Sequence, residues 1–229
     1  MDLKYKIKRR PRRKTLSIVI SSDNRIVVRA NQTLPDGAIA EFVESKRAWI
    51  SKTLKFNDTY LSLYIPKKFI DGENFLYLGG EFTLRIERGK SETAVLIDSM
   101  VLVMLPNFIK TPFDYIQGKL VQWYTAQSYM ILKERVGVYS RILNVEARSM
   151  KIRTLKRTWA NCSRLGVLTF SWRLIMAPLT IIDYVVVHEL AHRIHHNHSA
   201  RFWKQVEKVI PDYKVCKKWL RENGRDFHW

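Results

Sequence analysis

The chain has 229 residues, 46% of them apolar, with 40 Lys and Arg against 21 Asp and Glu and a formal charge of +19. That apolar share builds one sizeable domain or two small ones, and the charge favours anionic partners such as phosphates or nucleic acid without naming a fold. No run approaches the roughly 18 apolar residues of a membrane helix, residues 1–14 carry eight basic side chains but no signal-peptide core, and Cys162 and Cys216 form no CxxC pair, so a cytoplasmic protein with reduced thiols and no membrane partner is expected.

In chain order, residues 15–20 and 25–30 are β-branched runs around Ser22-Asp23-Asn24, a spacing that predicts a hairpin. From residue 36 to about 56, Ile39, Phe42, Val43, Trp49, Ile50 and Leu54 recur at three and four, which predicts one amphipathic helix. Residues 75–78, 82–86, 95–97 and 101–105, broken by Gly79-Gly80, Gly89 and Asp98-Ser99, predict a β-meander. Residues 111–144 then read as helix, and residues 108–112 mark a seam between a mostly β region, 1–110, and a C-terminal core, 111–229.

In that core, residues 150–155 and 166–172 read as strands flanking Trp159-Ala160-Asn161-Cys162-Ser163. A helix follows, for which Thr180 is the expected cap and Asp183, three residues on, the partner that completes a capping box. Residues 202–209 and 213–223 predict two more helices, with Pro211 between them and Gly224 ending the last. The expected fold class is α+β: a β-rich N-terminal half with one amphipathic helix, and a C-terminal core with a small sheet and a histidine-bearing helix.

Five of the six histidines, His188, His192, His195, His196 and His198, fall within eleven residues, and the sixth is His228. His188-Glu189-Leu190-Ala191-His192 is an HExxH sequence, and on a helix positions i and i+4 share a face, so His188 and His192 can hold one zinc ion. Glu189 follows the first ligand, the place of a general base for a metal-activated water. A catalytic zinc takes three protein ligands and keeps one open position. On a continuing helix His196 would lie about 12 Å along the axis from His188, too far to share an ion, and His195 is off the shared face. His198 serves if the helix stops near Asn197 and the chain turns back. His195 and His196 are then expected as exposed residues at the helix end.

Two plainer explanations stand beside this. A metal-free polar core would bury two histidines and a glutamate unpaired, at a cost of several kcal/mol. A structural zinc site would be closed by four ligands rich in Cys, and neither Cys162 nor Cys216 stands at ligand spacing. Manganese, cobalt or nickel could occupy the same nitrogens.

Residues 182–192 with Asn197-His198-Ser199 and Phe202-Trp203 resemble the YgjP-like metal-dependent hydrolase family, related to the SprT-like zinc metallopeptidases. The likeness runs from about Arg12 to Arg221 and takes in residues 13–17, Trp49-Ile50, residues 77–79, 174–178 and 211–214. It implies a zincin-like C-terminal core with His188, His192 and His198 on zinc and Glu189 as base. The family's usual Arg-Trp-Gly-Ser-Cys is replaced here by Thr158-Trp159-Ala160-Asn161-Cys162, so that loop's contacts are not carried over.

The expected function is metal-dependent hydrolysis, of a peptide bond or of a nucleoside triphosphate such as UTP. An extended peptide would bind an edge strand, for which residues 166–172 are the candidate. A nucleotide pyrophosphatase fits both the charge and the nucleotide pyrophosphohydrolase activity that the resemblance includes. Arg201, Tyr213 and Lys214 are candidates to stabilise the transition state or contact substrate. The reading from another class is a zinc-stabilised nucleic-acid-binding module, using the basic N-terminal region with Lys46, Arg47, Lys52, Lys55, Lys67 and Lys68 interleaved with Trp49, Phe56 and Tyr60.

Overall fold

The computed structural model describes residues 3–21, 23–63, 66–89, 93–110, 112–227 and 229, the side chains of 60–63 excepted. Ser22 of the predicted hairpin, the Tyr60 ring and His228 therefore lie outside the described residues. The chain separates into two compact units, Met1–Pro66 and Lys67–Trp229.

In the first unit, strands β1 (Lys6–Arg10), β2 (Ser17–Ile20) and β3 (Ile26–Asn31) form a sheet ordered β1-β3-β2. The predicted hairpin is the antiparallel pair β2 and β3, turned through Asn24 at φ 61°. Strand β1 is basic and mostly exposed, so no apolar alternation announced it, yet it pairs with β3 in parallel. The single helix expected from residue 36 is two, α1 (Asp36–Ser45) and α2 (Arg47–Leu63). Lys46 breaks it: its N–H donates to the Val43 carbonyl at 3.1 Å, tightening the last turn. Both helices can then turn Ile39, Val43 and Ile50 onto Ile26, Val28 and Ala30 of β3. Trp49, Lys52, Lys55 and Phe56 are exposed on α2.

The second unit opens with β4 (Asn74–Tyr77), β5 (Gly80–Arg88), β6 (Ala94–Ile97) and β7 (Met100–Leu105), ordered β4-β5-β7-β6. This is not the predicted meander, because β7 inserts between β5 and β6 and runs parallel to β5. Burial explains the order: β7 alternates buried Val101, Val103 and Leu105, whereas Val95, Leu96 and Ile97 of β6 are exposed at the edge.

Helix α3 (Pro112–Leu143) lays Leu120, Trp123, Tyr124 and Leu132 across one core that also contains Phe82, Val103, Leu168 and Val186. The seam expected at 108–112 therefore falls inside the second unit, and the four-stranded sheet shares a core with the C-terminal elements. A second sheet follows, β8 (Ser149–Arg153), β9 (Ala160–Cys162) and β10 (Val167–Ser171), ordered β8-β10-β9. A 3-10 turn, Trp172–Met176, leads to α4 (Leu179–Ala191), α5 (Ala200–Val209) and α6 (Tyr213–Asn223). With three small sheets and six α-helices among the described residues, the fold is mixed α+β. None of those helices is long and apolar enough to cross a membrane, and Cys162 and Cys216 are free thiols.

Two contacts fix the entry to α4. Gly79, at φ 81°, lies so close to Pro178 that a Cβ there would stand 2.7 Å from the proline Cγ, and the N–H groups of Leu78 and Gly79 donate to the carbonyls of Ile175 and Met176. The predicted capping box is absent. Pro178 is the N-cap, no side chain caps the helix, and Thr180 lies within the first turn. Asp183 instead accepts two bonds from the Arg135 guanidinium, at 2.6 and 2.8 Å, because its side chain faces α3 rather than the helix start.

Candidate metal centre

Helix α4 is apolar nearly all round, and residues 181–187 are buried, so its register is set by the core on every side. That fixes His188 and His192, one turn apart, with ring centroids separated by 5.1 Å. The helix ends at Ala191, earlier than the stop expected near Asn197, and His192 is its C-cap. Bonds from Arg193 to Leu190 and from Ile194 to Ala191 close a tight turn that starts the reversal. Ser199 then caps α5 by accepting from the Phe202 N–H, and the residue before that cap is His198.

The reversal brings His198 Nε2 within 3.0 Å of His188 Nε2. His188, His192 and His198 each offer a ligand atom, and all these atoms lie within 4.8 Å of one another, so the group could hold a metal ion. The His192 Nδ1 is 3.2 Å from the His195 carbonyl, a contact that leaves Nε2 free to ligate. His195 and His196 thus lie in the reversing loop, beyond the end of the helix where they were expected. The fully buried ring of Phe202 lies under all three histidines, at 4.9, 4.6 and 4.8 Å. Trp203 stacks on His198 at 5.7 Å on one side of the group, and Tyr213 stacks on Trp203 at 5.1 Å.

Burial governs the protonation of the group. It pushes His188 down to about 3, helped by His192 and His198, and it lowers His192 as well. Both rings are therefore neutral, with lone pairs available, in the metal-free protein at pH 7. Glu189 is 6% exposed, and burial raises its carboxyl to about 7 against the pull of a backbone hydrogen bond from Cys162. It shares with His188 a cleft of about 350 Å³, walled by Trp159, Ala160 and Tyr184 and flanked by Lys217 and Arg221.

A family model described as YgjP-like, metallopeptidase domain, matches residues 14–223. The chain belongs to the YgjP-like metallopeptidase-domain family. Its match begins before β2 and ends on the last residue of α6, and membership of this family makes the protein a metal-dependent hydrolase by descent. The crystal structure of the metallopeptidase zymogen of Pyrococcus abyssi abylysin is similar over 40% of this chain and 93% of that one, at 26% identity and a TM-score of 0.37. No curated protein matches the chain.

In this YgjP-like chain the other sequence candidates lie off the cleft. Arg201 and Lys214 are exposed, and Tyr213 is buried against Trp203; none of the three lines the cleft. Lys217 and Arg221 do, although sequence reasoning passed over them; they stand one and two turns beyond Tyr213, and that four-residue spacing was the available signal. Strand β10, expected as a substrate edge, is central and paired on both sides. The edge beside α4 is β9, which contains the Ala160-Asn161 departure from the family pattern.

Proposed function

We propose that the protein is a zinc-dependent peptide hydrolase with a zincin-like core, in which His188, His192 and His198 hold the metal and Glu189 is the general base. The observation that carries this reading is the convergence of three imidazoles, one of which, His188, lines a cleft together with the buried Glu189 carboxylate. The residues fit a metal: two of the rings are held neutral by burial, one is oriented through its other nitrogen by a backbone carbonyl, and three nitrogens leave a fourth position open. Such donors suit zinc, and manganese, cobalt or nickel can replace it. Bound there, the metal would lower the pKa of a water and polarise the scissile carbonyl. Glu189 takes the proton from the attacking water and delivers it to the leaving amine, a task suited to a carboxyl poised near neutrality. An extended peptide can add to β9, an edge strand whose one sheet neighbour among the described residues is β10.

A second reading, a nucleotide pyrophosphatase acting on a triphosphate such as UTP, draws its support from Lys217 and Arg221 at the cleft. The zinc-stabilised nucleic-acid-binding module draws on the exposed basic and aromatic residues of α2, but it gives the buried Glu189 no task. The deciding experiment is a screen of zinc-loaded protein against unfolded proteins and nucleoside triphosphates. Release of peptides supports the first reading, and release of pyrophosphate with intact proteins replaces it by the second.

A further inference from the structure

Tyr213, Lys217 and Arg221 lie four residues apart along α6 and form one stripe. Tyr213 is buried against Trp203, which turns the stripe toward the histidines. Lys217 Nζ stands 4.6 Å from the centroid of the Trp203 ring, and that ring stacks on His198. The ammonium is close enough to His188 to be among the charges that depress its basicity, after burial and the two neighbouring histidines. Arg221 completes the pair, and its ion-pair partner is the adjacent Glu222, at 3.5 Å on an exposed surface, a kind of contact that contributes little.

The remaining lining divides sharply. Trp159, Val185 and Leu220 are apolar, and Glu189 is the one carboxylate among the residues that line the cleft. Glu189 and the two cations thus line the same cleft, and neither cation has a carboxylate partner of its own among the residues that line it. A group with a short apolar stem and an anionic end matches these walls, its stem on the indole and leucine surfaces and its oxygens at the cations.

We propose that Lys217 and Arg221 form an anion-binding subsite beside the metal centre, which selects substrates carrying a carboxylate next to the scissile bond, such as a peptide with a glutamate there. The proposal rests on the hydrolase reading for its place in catalysis, but the subsite itself is a matter of binding. A phosphate offers the same chemistry, so the test separates the two sources.

The experiment uses the full-length, zinc-loaded Glu189→Gln protein, with and without Lys217→Met and Arg221→Met, the zinc content of each being measured. Calorimetric titration is made with a pair of peptides differing only by Glu or Gln and, separately, with inorganic tripolyphosphate, at low and high salt. The Glu peptide is expected to bind about tenfold more tightly than the Gln peptide. That preference should vanish in the doubly substituted protein and shrink at high salt, with zinc content unchanged. Tripolyphosphate binding that depends on the two cations, without any Glu preference, would overturn the peptide assignment in favour of phosphate. Equal binding of Glu and Gln peptides and of tripolyphosphate with and without the cations would overturn the subsite and leave the hydrolase reading standing. A cation-dependent Glu preference in a protein whose wild type hydrolyses nothing would uphold the subsite and sink the hydrolase reading.

Discussion

Glu189 is where stability and chemistry pull against each other. Its carboxyl is raised from 4.5 to about 7 by burial, so the folded state holds a proton that the unfolded state releases. The sign follows: the destabilisation is absent below pH 4.5, grows between pH 4.5 and 7, and is complete above. A shift of that size corresponds to something on the order of 3 kcal/mol. Glu189→Gln should therefore make the metal-free protein more stable than wild type at pH 8, by up to roughly 3 kcal/mol, and equally stable near pH 4. Urea denaturation at the two pH values reads it directly, and a wild type as stable as the variant at pH 8 would contradict it. The three histidines give a second prediction. His198→Ala should weaken zinc binding by more than the roughly 10–100-fold that loss of an orienting partner costs, while His196→Ala leaves it unchanged, as measured by chelator competition. His188, Glu189, His192 and His198 were legible because their geometry is local: helical spacing and a nearby reversal suffice. Lys217 and Arg221 were marked only by their four-residue spacing from Tyr213, which does not say how α6 packs against α4, and that packing is what carries them to the cleft.

At the scale of elements, α4 is held from outside by a part-buried ion pair. Arg135 donates twice to Asp183, and that pairing raises the guanidinium further above its ordinary range. Asp183→Ala would leave the part-buried Arg135 with Glu134, at 3.7 Å, as its remaining carboxylate, and should cost roughly 2 kcal/mol, read as a fall in the urea midpoint at pH 7. No change in midpoint would mean that the pair is replaced by solvent without loss. The sequence suggested a different role for Asp183, because a Thr three residues before an acid is also a capping pattern. Pro178 decided otherwise by starting the helix itself, its fixed φ and missing N–H suiting that end. Most strands were legible one at a time, β1 and β9 being the exceptions, but the order β4-β5-β7-β6 was not. Pairing is set by which strand offers a buried face to α3, and the exposed β6 could be placed at the edge only once that face was known.

For the whole molecule, the apolar share and the charge were readable from composition, while the division was not. The seam expected near residue 110 reflected a change in local pattern, but the four-stranded sheet shares its aromatic core with α3 and with Trp229, as in the contacts of Phe75 and Tyr124 with that terminal indole. All four residues proposed for the metal centre lie in Lys67–Trp229. A fragment of residues 67–229 is therefore expected to fold cooperatively and to bind zinc with the affinity of the full chain. An unfolded fragment would show that the second unit is not self-sufficient.

The central claim, that three histidines and Glu189 form a hydrolytic centre, is tested most directly by the rate of cleavage of an unfolded protein by zinc-loaded wild type and Glu189→Gln at equal zinc content. The account predicts cleavage by wild type and a loss of about 10²-fold or more in the variant, the contribution of a general base. Equal rates for the two proteins would contradict it.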